Sequence, residues 1–103
     1  MGLFGRKDDK KNLEKLLSPN EMKAVAYAVY YTSNKVHDAE GMELAQLLVS
    51  GKRRKVFPIE YEYVKVAIEN MIGIMQTIKA KSGLTPDLPQ ELLDDLTSAK
   101  IKL

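Results

Sequence analysis

Hydrophobic positions along this chain recur at helical spacing almost from end to end. Leu13, Leu16 and Leu17 stand at i, i+3 and i+4, which predicts a brief helix over about residues 9–17. Ser18-Pro19-Asn20-Glu21 then reads as a capping box with proline at the first helical position. The Ser18 oxygen can accept the Glu21 amide, and the Glu21 carboxylate can reach back. The helix so begun is expected to run from Pro19 to about Lys35. Met22, Val25, Ala26, Val29 and Val36 mark one face, and Tyr27, Tyr30 and Tyr31 an adjacent, overlapping strip. That apolar arc is wider than one neighbour needs, so two neighbours are expected.

Residues 34–41 admit two readings. They form a turn in which Asp38 caps a new helix, or a weak point in one long helix, where Gly41 costs about 1 kcal/mol against alanine. The break is the reading taken here. Met42, Ala45, Leu48 and Val49, with Leu44 and Leu47, then predict a short, very apolar helix stopped by Gly51. From near Pro58 to about Ser82, Val64, Ala67, Ile68, Met71, Ile72, Met75 and Ile78 make an unbroken stripe. At 1.5 Å per residue that helix spans ~36 Å and is expected to be the central strut. Pro86 and Pro89 forbid a regular helix between Leu84 and Pro89. Asp87 with Gln90 is the expected cap of a last helix carrying Leu92, Leu93 and Leu96. No stretch alternates clearly enough to predict a strand. The expected fold is all-α, a small helical bundle of about four main helices with a short N-terminal leader helix. Residues 1–8 read as a mobile charged tail and residues 9–103 as a single helical domain.

Composition supports a folded chain. Of 103 residues, 45% are hydrophobic and 29% charged, a globular balance rather than a disordered one. There is no cysteine, which excludes disulfides, thiolate catalysis and Cys-ligated zinc. No run approaches the ~18 apolar residues of a membrane span. The apolar part of MGLFGRKDDKK is too short for a signal peptide. A cytoplasmic location is expected. Leu3 and Phe4 beside Arg6 and Lys7 raise the idea of a membrane-dipping helix. Gly2 and Gly5 weaken any helix there, and Phe4 and Leu13 would fall on opposite faces. Contact of residues 1–7 with a membrane surface is therefore disfavoured.

Catalytic chemistry has little to work with. His37 is the single histidine, so a paired Glu-x-x-His metal site cannot be built. The serines lie in no elbow motif. Gly51-Lys52 lacks the earlier glycine and the following Ser or Thr of a phosphate loop. Glu60 with Glu62 and Asp94 with Asp95 are too close in sequence to face one another on a helix, and these acids, with Glu40 and Glu43, read as solvated faces and acids near helix starts. No catalytic residue, metal ligand or cofactor is assigned, and the chain reads as non-enzymatic.

Charge distribution is more telling than its total of +2. The first fifteen residues sum to +2, and Lys52, Arg53, Arg54 and Lys55 add +4 on a connection between two helices. These four are the candidate contact for nucleic acid or an acidic partner. Against a duplex reader, the preceding helix is too apolar to lie in a groove, and the following one opens with Glu60 and Glu62. Cations also suit the helix C-terminus just before the run. Tyr27, Tyr30 and Tyr31 are the candidate protein-interaction face; alternatively their rings cap the core while the hydroxyls stay wet. The expected function is a helical protein-interaction or regulatory module whose partner is another protein or itself, as a homodimer. The alternative is a weak nucleic-acid-binding protein using the Lys52–Lys55 loop.

Overall fold

The computed structural model describes residues 10–103, and the expected charged tail at residues 1–8 lies outside them. The described chain is a helical bundle. Its elements run β1 (Lys11–Asn12), α1 (Leu13–Leu16), α2 (Pro19–Lys35), α3 (Ala39–Val49), β2 (Lys55–Val56), α4 (Pro58–Lys81) and α5 (Gln90–Lys102).

The leader helix is shorter than its leucine spacing suggests. Asn12 caps α1, its side chain accepting the Lys15 amide at 3.3 Å. The two residues before Leu13 are extended instead and pair antiparallel with β2, Lys11 opposite Val56 and Asn12 opposite Lys55. The Leu13 amide continues the ladder by donating to the Arg54 carbonyl at 2.8 Å. This pairing leaves Leu13 and Val56 both fully buried. Each strand is two residues long, too short to show alternation in sequence.

The capping box at α2 forms. The Glu21 amide donates to Ser18 Oγ at 3.2 Å, and the Ser18 amide to Glu21 Oε1 at 2.7 Å. At its other end α2 stops cleanly. His37 takes a left-handed φ of 58°, its amide donates to the Asn34 carbonyl at 3.3 Å, and the Asp38 amide donates to Ser33 at 2.9 Å. That pattern is a Schellman stop with histidine where glycine is usual. Asp38 then caps α3, accepting the Gly41 amide at 3.2 Å. The segment from 19 to 50 is thus two helices. Gly51, with φ 78°, ends α3.

The central helix is α2, not the longer α4. It packs against α3, α4 and α5 in turn. Ala24, Ala26 and Ala28 are buried beside Val25 and Val29, and small side chains on several sides let three neighbours approach. α4 buries one stripe, Val64, Ala67, Ile68, Met71, Ile72 and Met75, and leaves Val66 exposed. Length alone does not make a helix central; the angular spread of its small and apolar residues does.

Among the described glycines, the one with the least room for a side chain is Gly41. A Cβ there would lie 2.1 Å from Ser33 Oγ and 2.9 Å from the Tyr63 hydroxyl. Those two hydroxyls are themselves bonded at 2.7 Å, joining α2 to α4 under the start of α3. At the far end, α5 has no side-chain cap: Pro89 holds the N-cap position, so Asp87 and Gln90 do not play that part. The Gln90 side chain instead accepts from Lys79 Nζ at 2.8 Å and donates to Asp94.

Candidate functional site

Helix stop, ribbon and helix start together fix the basic run. Arg53 is tied at two points. Its amide donates to the Leu47 carbonyl at 3.1 Å, and its guanidinium donates to Glu60 Oε1. The same carboxylate oxygen accepts the Phe57 amide at 2.8 Å and so closes the first turn of α4. Arg54 Nε lies 3.2 Å from Glu14 Oε2, both side chains more than half exposed. Lys52 and Lys55 are exposed, and Lys55 sits in β2. The four cations therefore divide: two are engaged by carboxylates and two face solvent.

The ribbon adds cations that the sequence had shown only as a separate basic stretch. Lys10 Nζ stands 4.4 Å from the Phe57 ring centroid, with the Arg53 guanidinium 5.5 Å from the same centroid. Lys11 and Lys65 flank Tyr61 at 5.4 and 5.1 Å. The Tyr61 hydroxyl donates to the Leu103 carbonyl oxygen. Phe57 is 41% exposed, so part of its ring is open to solvent. Sequence reading missed Lys10, Lys11 and Phe57 as members of this surface. The two basic stretches were visible, but nothing local said that they pair.

The three tyrosines lie side by side on α2. Going round α2, Tyr27 lies between Tyr30 on one side and Tyr31 on the other. Tyr31 is half-buried against the core, and its ring is tilted against Tyr27 at a centroid distance of 6.3 Å, with Lys35 over it. Tyr27 and Tyr30 also border α3. With Ala26, Ala45 and Val49 they line an open apolar groove of about 300 Å³, to which Lys23 and Gln46 contribute. Tyr30 is 42% exposed and Val49 54%. Burial pushes the Tyr27 hydroxyl above the ordinary tyrosine range, and the neighbouring Tyr31 and Asp87 add to that.

Glu21 is the one buried carboxylate among the described residues. Burial alone would raise its pKa. Lys102 Nζ at 2.7 Å, the Ser98 hydroxyl and the Ser18 amide outweigh that and hold it down at about 2. This cluster ties the start of α2 to α5; both carboxylate oxygens accept hydrogen bonds from within the fold, which gives the group a structural role. His37 is exposed on the turn before α3, where its backbone, not its ring, is engaged. Comparison with family models, with curated proteins and with solved structures gave no match.

Proposed function

We propose that this chain is a non-enzymatic helical interaction module that docks a second copy of itself through the α2–α3 face. The observation that carries the reading is the open groove between those helices. α2 and α3 pack closely along their length, yet leave Tyr30 and Val49 standing out beside a floor of Ala26 and Ala45. The lining is almost wholly apolar, and apolar surface of that kind gains free energy when a partner covers it. A two-fold interface uses the same patch twice. This patch carries both halves of such a contact, a recess and projecting side chains beside it. Charge agrees: Lys23 and Asp87 both lie close to Tyr27, so the surround offers opposite signs to an identical surround.

Sedimentation equilibrium on the full chain, from about 5 to 300 μM, tests the reading. The wild type is expected to move from monomer to dimer across that range, and Tyr30→Asp to stay monomeric with an unchanged helical circular dichroism spectrum. A wild type that remains monomeric throughout overturns it.

A further inference from the structure

We propose that the ribbon end of the molecule binds single-stranded nucleic acid, with the Phe57 ring stacking on a base and Lys10, Lys52 and Lys55 taking the flanking phosphates. This surface is separate from the α2–α3 groove and does not depend on it.

The argument starts from Phe57. Its ring, at the start of α4, is 41% exposed and so is open to a ligand. Its surroundings are cationic: Lys10 and the Arg53 guanidinium both lie within cation–π distance of the ring. Arg53 is held by Glu60, and Glu60 by the Phe57 amide, so one side of this arrangement is rigid. Lys10 is a flexible side chain on the other. Stacking of a base on an aromatic ring outweighs a solvent-exposed cation–π contact. A base can therefore take the place of the Lys10 ammonium on the ring, and the ammonium so released is positioned for the adjoining phosphate.

Antiparallel pairing of β1 with β2 supplies the rest. The register pairs Lys11 with the buried Val56 and Asn12 with Lys55, so Lys55 projects from the other face of the ribbon than Lys11, and Lys52 comes from the loop that leads into it. Among the described residues the nearby acids are paired with other cations: Glu60 with Arg53, Glu14 with Arg54 and Glu62 with Lys65. A duplex is the poorer fit. Its bases are already stacked and offer nothing to the ring, and among the described residues no polar helix stands beside the ribbon to enter a groove. An anionic bilayer is poorer too. Membrane-surface helices present a continuous apolar face, whereas Phe57 and Ile59, two residues apart at the start of α4, point in different directions.

Fluorescence anisotropy on the full chain tests this, with a labelled 20-nucleotide oligo-dT, a blunt mixed-sequence duplex, and vesicles of phosphatidylcholine with phosphatidylserine. At 50 mM salt the oligo-dT is expected to bind more tightly than the duplex. Phe57→Leu keeps an apolar residue while removing the stacking face, and is expected to weaken oligo-dT binding about fivefold or more. Lys52→Ser with Lys55→Ser removes two phosphate contacts and is expected to make the log–log salt slope shallower by about 1.4. Circular dichroism confirms that both variants stay folded. No oligo-dT binding at 50 mM salt overturns the proposal. So does duplex binding as tight as single-strand binding, an unchanged affinity in Phe57→Leu, or binding confined to the vesicles.

Discussion

Lys102 Nζ and Glu21 Oε1 lie 2.7 Å apart, although 81 residues separate them in the chain. The contact fastens the last turn of α5 to the first turn of α2. Its carboxylate is buried and its ammonium is half in water, with 44% of the lysine side chain exposed against 5% of the glutamate.

That asymmetry sets the size and the pH dependence of its contribution. Removing one partner of a fully buried pair costs about 3–5 kcal/mol. Solvent screening at the Lys102 end reduces this, and Glu21→Gln is expected to cost about 1–3 kcal/mol at pH 7. The folded-state pKa of about 2 lies below the ordinary 4.5. The ionised form is thus favoured by folding, and its contribution is complete above pH 4.5 and disappears as pH falls toward 2. Urea midpoints of wild type and Glu21→Gln, taken from pH 7 to pH 2.5, should converge at the acid end. A gap that stays constant across the range would show that the charge on Glu21 is not what stabilises the contact.

Gly41 should tolerate no side chain. A methyl group there meets Ser33 Oγ at 2.1 Å, inside the hydroxyl pair that joins Ser33 to Tyr63. Gly41→Ala would normally stabilise a helix by about 1 kcal/mol. Here overpacking opposes it, and a net loss of about 1–3 kcal/mol is expected from thermal or urea unfolding. A variant as stable as wild type would mean that α3 can move away from Ser33 without penalty.

Gly73 makes the opposite case. It lies on the exposed side of α4, and a Cβ there meets nothing within 4 Å. Gly73→Ala should stabilise by about 0.5–1 kcal/mol, through helix propensity alone. A destabilised Gly73→Ala would reveal a close neighbour on that side of the helix in solution.

What could be read along the sequence was what neighbouring residues decide among themselves. Ser18 and Glu21 announce their cap because both partners lie within one turn, and Asp38 marks the start of α3 for the same reason. The break at residues 34–41 was legible at Asp38 but not at His37, whose left-handed backbone no composition rule points to. Contacts that bridge distant segments left no local mark. The two-residue strands are too short for a pattern. Gly41 looked like a weakness in a helix, whereas it is the clearance that Ser33 and Tyr63 require. The four cations at Lys52–Lys55 looked equivalent until Glu14 and Glu60 claimed two of them. The tyrosines shared a strip on α2, but which of them border the groove depends on where α3 lies.

Arg53 stands between two surfaces. Its amide is bonded to Leu47, on the helix whose Val49 lines the groove, and its guanidinium lies over Phe57 and holds Glu60. A single residue thus bonds to both the ribbon end and α3, the contact through which any coupling between the two surfaces would pass. Thermodynamic linkage makes such a connection symmetric: whatever factor an occupant of one surface imposes on the other surface's affinity is returned unchanged. A titration at either surface, with the other filled and then empty, measures the whole of that coupling.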